Sequence, residues 1–104
     1  MENDEIRYKI AVLKGWTRES YNNAIEFDIP NGHNKWLLDW PVNISDAWEL
    51  VEEMYNYNIK KIGGVVTAVL YPDTHILRGQ VGKADTAPVA ICLAYIGVKE
   101  SQNA

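Results

Sequence analysis

One segment near the C-terminus constrains the fold more than any other. Ala87, Val89, Ala90, Ile91, Cys92, Leu93, Ala94, Tyr95 and Ile96 leave almost no polar face at helical spacing. Asp85 stands ahead of them as a cap, the helix starts near Thr86, and Pro88 falls in the first turn, where amides have no helical partner. A helix that is apolar all round is sandwiched inside its own domain or buried in an oligomer. The chain has 104 residues. That length supports a single domain, residues 1–104, because a second core of this size would bury too little surface to be stable. At least a dimer is expected, since four tryptophans and this helix carry more apolar surface than one small sheet covers.

The remaining segments alternate in period. Residues 3–14 read as a helix with Asn3 or Asp4 as cap, Ile6, Ile10 and Leu13 on one face, and Gly15 as a left-handed stop followed by Trp16. Residues 17–23 are polar and without period. Residues 24–29 alternate, with Ile25, Phe27 and Ile29 on one face and Glu26 and Asp28 on the other, as in a half-exposed strand. Pro30-Asn31-Gly32 is a turn signal, and residues 35–40 return as a second strand ended by Pro41. A second helix spans 44–57, capped by Asn43, with Ile44, Ala47, Trp48, Val51, Met54 and Tyr55 as its buried stripe. Residues 59–71 form a third strand with a bulge or bend at Gly63-Gly64, and the turn at 71–74 leads into an antiparallel fourth strand at 75–81. Residues 99–104 read as a frayed tail. The fold class that follows is α+β: a small antiparallel sheet packed with three helices, a helix–sheet–helix sandwich.

Charge and composition narrow the function. Hydrophobic residues make up 47% and charged residues 23%, so the chain is an ordinary globular one rather than a disordered one. A formal net charge of -4 with only three arginines, Arg7, Arg18 and Arg78, disfavours duplex DNA or RNA as a partner, since such binding is driven by neutralising phosphates. No apolar run approaches the roughly 20 residues of a membrane span. The acidic start, Glu2 to Glu5, lacks the basic region of a signal peptide. The single cysteine, Cys92, excludes an internal disulfide and a cysteine-based zinc site, and a reducing cytoplasm is the expected compartment.

Two stretches resemble a known family. Residues 45–54, Ser-Asp-Ala-Trp-Glu-Leu-Val-Glu-Glu-Met, are similar to the AWEVVEKM helix of the phage ABA sandwich domain, a group of small phage proteins. Residues 84–94, Ala-Asp-Thr-Ala-Pro-Val-Ala-Ile-Cys-Leu-Ala, resemble its C-terminal ADTAPLAICLAAL helix, and Gly15-Trp16 fits its GW pattern. The resemblance implies a helix–sheet–helix sandwich, a phage or prophage origin and action in the host cytoplasm. It carries no catalytic residues across. Phages use small sheet-containing oligomers as sponges for the nucleotide signals of bacterial immunity, and the resemblance extends that possibility to this chain by analogy. The chain departs from the family pattern in the Asn-rich stretch between Trp16 and Trp36.

No catalytic constellation is legible. His33 and His75 do not form a metal-ligand pair, and no metal or cofactor is expected. Cys92 sits mid-helix, where a buried structural thiol is the ordinary reading. Ser20, Ser45 and Ser101 lack a nucleophile-elbow context, and 79–83 has the wrong spacing for a phosphate loop. Glu26 and Asp28 share a strand face but lack a partner in a distinct environment. The stronger candidate is a binding site. Arg78, Lys83 and the Thr86 hydroxyl are expected near the N-terminus of the last helix, whose free amides and dipole favour an anion, with Gly79 and Gly82 allowing close approach. The alternative there is a plain turn, capped by Asp85. Trp36 and Trp40 share parity on the second strand; they are either core or stacking surfaces for a nucleobase. If the phosphate does not lie beside Arg78 and Lys83, the expected alternative is Arg18 or Arg7 across a subunit boundary. The expected function is a non-enzymatic, oligomeric phage protein that withholds a small anionic nucleotide, a cyclic dinucleotide or cyclic ADP-ribose, from host defence. A protein-binding inhibitor of a host factor and a small hydrolase are the competing readings.

Overall fold

The computed structural model describes residues 2–15 and 40–102 in full and the backbone of 17–21, 24–28 and 34–36. Its elements are α1 (Asn3–Leu13), β1 (Thr17–Tyr21), β2 (Ala24–Asp28), β3 (Asn34–Trp36), α2 (Ile44–Glu52), β4 (Asn56–Ile62), β5 (Val65–Tyr71), a 3-10 turn (Ile76–Arg78), β6 (Gln80–Ala84) and α3 (Ala87–Gln102). The strands make two antiparallel three-stranded sheets, ordered β1-β2-β3 and β4-β5-β6. The fold class is the expected one, α+β with antiparallel strands and three helices.

The helix that is apolar all round forms the middle layer of its own domain. Ala90, Leu93, Ala94 and Gly97 face β6, where Gly82 and Gln80 lie beneath them. Ile91, Cys92, Ala94, Tyr95 and Val98 are fully or almost fully buried, and the remaining faces of α3 pack on α1 and α2. Intramolecular packing therefore accounts for its composition. The layers run sheet, α3, then α1 and α2. The other face of β4-β5-β6 is open: along β5, Val66, Ala68 and Leu70 are buried against α3, while Val65, Thr67, Val69 and Tyr71 alternate outward.

Several boundaries move for local reasons. The α1 cap is Glu2, without a side-chain hydrogen bond, rather than Asn3 or Asp4; Asp4 instead accepts from Arg7 one turn on at 3.2 Å. Gly15 stops α1 at φ 84 as expected. Asn43 caps α2, its Oδ1 accepting from the amides of Ser45 and Asp46 at 2.8 and 3.2 Å. α2 ends at Glu52, five residues short of the expected end. There the Tyr55 amide donates to the Tyr71 carbonyl at 2.9 Å and starts the sheet instead. Its stripe is also rotated: Ala47, Leu50 and Val51 are buried, whereas Ile44 is 49% and Trp48 37% exposed. Trp48, expected in the core, lies against Tyr57 edge-to-face at 5.2 Å.

The expected third strand is two strands. Gly63 and Gly64 both have left-handed φ, 58 and 81, and form a two-residue hairpin turn rather than a bulge. The expected fourth strand at 75–81 is instead the 3-10 turn, and β6 starts at Gln80. Asp73 causes this: Oδ1 accepts from the His75 amide at 2.8 Å and Oδ2 from Arg78 at 3.1 Å, so the chain curls before it can pair. Residues 17–21, read as aperiodic, pair with β2 from Thr17↔Asp28 to Tyr21↔Ala24. Of the expected strand at 35–40, β3 reaches Trp36 and residues 37–39 lie outside the described residues, as do Trp16, Ile29 and the Pro30-Asn31-Gly32 turn. The C-terminal residues to Gln102 are helical rather than frayed.

Candidate functional site

The anion site expected at the start of α3 is not assembled. Thr86 is the N-cap residue, its carbonyl accepting from the Ala90 amide at 3.1 Å, and both it and Asp85 are exposed. Arg78 lies at the other end of the helix. Its guanidinium pairs with Asp73 and borders a cavity of about 360 Å³ with Val98, Ser101 and Gln102. Sixteen helical residues separate the two ends by roughly 24 Å. The cause is the course of β6, which runs beneath α3 from Gln80 under Gly97 to Gly82 under Ala90 and Ala94, so that Arg78, ahead of β6, meets the helix at its C-terminal end.

Trp40 is not a stacking surface. It sits in the turn before α2, fully buried, with the Lys14 ammonium 5.9 Å from its ring centre. Trp36 pairs by backbone with Glu26, and Arg18 with Phe27; Glu26 and Asp28 both belong to β2. The side chains of these five lie outside the described residues.

Lys83 does reach a plausible ligand surface, but with different companions. On the open face of the second sheet, Lys60 of β4, Thr67 of β5 and Lys83 of β6 stand in one cross-strand row, set by the pairs Lys60↔Thr67 and Thr67↔Lys83. The lysine backbones are two strand spacings apart, about 9–10 Å. Both lysines are exposed, and among the described residues neither has a carboxylate partner. The adjacent row is Asn58, Val69 and Val81, and beyond it lie Asn56 and Tyr71.

A shallow groove runs along these rows. Asn58, Lys60, Thr67, Val69 and Tyr71 line a cavity of about 240 Å³. Asn58 and Tyr71 also border a second cavity of about 210 Å³, walled by Tyr55, Tyr57, Asn56 and Asp73. The Tyr71 ring lies close over Gly79: a Cβ there would come within 2.6 Å of it. Asn56 spends its Oδ1 on the Tyr57 amide at 2.8 Å, which leaves its amide hydrogens for another acceptor. Lysines at one end and Tyr55 and Tyr71 at the other suit a ligand with a phosphate and an aromatic base, while the Tyr57 ring is taken up by Trp48.

A second polar cluster ties the helices together. Glu53, just beyond α2, accepts from the Tyr95 hydroxyl at 3.0 Å and pairs with Lys14 at 2.6 Å and, more loosely, with Lys99 at 3.9 Å. Both ammonium groups also lie over the Tyr95 ring, at 5.3 and 5.5 Å. Burial, reinforced by the charge and hydrogen bond of Glu53, pushes the Tyr95 hydroxyl well above the ordinary tyrosine range. This cluster is compact and internally satisfied, so its evident work is holding three helices together.

Cys92 is a buried thiol outside any disulfide. Among the described residues no group of three or more His, Cys, Asp or Glu side chains could hold a metal ion. No described helix is long and apolar enough to cross a membrane.

Lys60, Tyr55 and Tyr71 are not legible as site residues in the sequence, because its periodicity puts Tyr55 on a helix and Lys60 and Tyr71 on a single strand. Gly63-Gly64 between two β-prone runs was the available signal, since a two-glycine turn predicts a hairpin and so brings Lys60 beside Thr67.

Fold and groove together define a small α+β domain with a helix as its middle layer and an open, lysine- and tyrosine-bearing sheet face. The chain shares its fold with a phage protein from Bacillus cereus ATCC 14579, known from a crystal structure: the TM-score is 0.71 at 20% identity, over 94% of this chain and 92% of the other. At that identity the likeness is one of fold. No protein-family model matches the chain, and no curated protein sequence matches it.

Proposed function

We propose that the chain is a phage-encoded, non-enzymatic binding protein that acts in the host cytoplasm by sequestering a small phosphorylated nucleotide signal of antiphage defence. The observation that carries the reading is the pair of lysines, Lys60 and Lys83, without carboxylate partners among the described residues, beside a groove bordered by Tyr55 and Tyr71. The fold shared with a phage protein and the resemblance of residues 45–54 and 84–94 to a phage family support the origin. A net charge of -4 is compatible with a small ligand, which needs only one or two local cations.

Self-association belongs to the same reading. Its basis is surface rather than α3: the adjacent Ile76 and Leu77 are 78% and 98% exposed. Light scattering at tens of micromolar tests it, and a monomer there removes it.

The decisive experiment is native mass spectrometry of the protein with cyclic dinucleotides and cyclic ADP-ribose, followed by heating and analysis of the released ligand. Sequestration requires a bound ligand recovered chemically intact. A hydrolysed product would make the protein an enzyme. No bound nucleotide, with capture of a host protein through the Ile76–Leu77 projection, would make it a protein-binding inhibitor.

A further inference from the structure

Resting on that reading, we infer that the tyrosine end of the groove takes guanine in preference to adenine, with Asp73 accepting from the base N1–H and 2-amino group and Asn56 donating to O6. Both side chains line the cavity of about 210 Å³ at that end. Sites for whole drug-sized ligands start at about 300 Å³, so this one suits a single ring system. Sugar and phosphate are left to the adjoining cavity, which shares Asn58 and Tyr71 with it and leads to Lys60.

Asp73 supplies two acceptors in a held orientation. Its Oδ1 accepts from the His75 amide at 2.8 Å and its Oδ2 from the Arg78 guanidinium at 3.1 Å. A carboxylate has about four lone-pair sites and no hydrogen to donate, so each oxygen keeps a site for a further donor. Two neighbouring acceptors match guanine, whose N1–H and 2-amino group are adjacent donors. Adenine turns an acceptor, N1, toward the same place and is repelled. Asn56 has the opposite sense. Its Oδ1 accepts from the Tyr57 amide at 2.8 Å, and only the oxygen of a carboxamide can accept, so that bond fixes which way the group points. The NH2 group is left to donate, which suits O6 of guanine and not the 6-amino group of adenine. Asn58 and Thr74 line the cavity too, but each both donates and accepts and so does not discriminate. Tyr55 and Tyr71 offer ring faces to either purine.

The test is calorimetry on the full chain at fixed salt with cyclic diguanylate, cyclic di-inosinate and cyclic diadenylate, which differ only at the base edges, and with cyclic ADP-ribose. The wild type is expected to bind cyclic diguanylate at least about fivefold more tightly than cyclic diadenylate, the lower end of what one bidentate base contact discriminates, with the inosine ligand between them. Asp73→Asn keeps an oxygen for the His75 amide but sets a donor beside the base, as in the pairing of asparagine with adenine, so the preference should narrow or reverse. Asn56→Asp keeps the bond to the Tyr57 amide and replaces the donor by an acceptor, and should move the ratio the same way. A merely structural role for either residue would lower all affinities alike. If Asp73→Asn does not fold, Asn56→Asp carries the comparison. Cyclic diadenylate bound by the wild type as tightly as cyclic diguanylate, cyclic ADP-ribose bound more tightly than either, or an unchanged ratio in the folded variants overturns the guanine assignment while leaving sequestration standing. If none of the four ligands binds the wild type, the proposed function falls and the assignment falls with it.

Discussion

Gly82 of β6 lies directly under the backbone of α3 at Ala90: a Cβ there would clash with the Ala90 carbonyl oxygen and sit 2.5 Å from the Ala94 amide nitrogen. The contact is backbone against backbone, so no rotamer change relieves it. Gly82→Ala should therefore lift the central helix off the sheet and cost about 2–3 kcal/mol, at the upper end of overpacking effects. Urea denaturation measures this. An unchanged midpoint would show that α3 and β6 do not approach as closely as described.

Tyr95 gives the protein an alkaline limit. Its folded hydroxyl holds the proton above the ordinary range, chiefly because it is buried, whereas unfolding frees a phenol that titrates near about 10. The stabilisation is complete below that pH. It declines as pH rises toward the raised folded value, because the unfolded state sheds a proton that the folded state keeps. Tyr95→Phe should cost about 1–2 kcal/mol at neutral pH through loss of the hydrogen bond to Glu53. Between pH 9 and 11 (roughly one unit either side of the ordinary value) the variant should lose stability less steeply than the wild type. Parallel denaturation curves across that interval would remove Tyr95 as the cause.

Of the two roles open to Trp40 it takes the core one, and Trp48 does not take the core role expected of it. Trp40 is fully buried, so Trp40→Ala should cost about 3–5 kcal/mol. Trp48 is 37% exposed and leans on Tyr57 at the surface, so Trp48→Ala should cost about half as much or less. Thermal melts of the two variants decide the order, and the reverse order would restore the original register of the second helix.

The lysines should separate from the arginine in binding. Lys60→Ala and Lys83→Ala should each weaken a phosphorylated nucleotide several-fold and flatten the salt dependence of binding, since both stand in the row at Thr67. Arg78→Ala should act differently, without lowering the salt dependence as the lysine variants do, because its guanidinium is already engaged with Asp73 at the tyrosine end of the groove and stands outside the lysine row. Calorimetry at two salt concentrations reads all three variants. Loss of binding only in Arg78→Ala would move the site to the cavity beside Ser101.

Local patterns fixed how the chain divides, and long-range contacts fixed what those divisions face. Asn43, Gly15 and the apolar run from Ala87 act within one or two turns, so helix starts, the first stop and the identity of the central helix were legible along the chain. The end of α2 was not, because Tyr55 leaves it to bond Tyr71, a partner sixteen residues away. The face that Trp48 presents, the burial of Trp40 and the distance of Arg78 from Thr86 depend on how α1, α2 and the sheet close around α3. The groove depends on it too: Lys60 and Lys83 are twenty-three residues apart and meet at Thr67 only through two strand pairings. Residue order determines local propensity, whereas a site is a coincidence of register and packing, and those are decided only when the whole chain has folded.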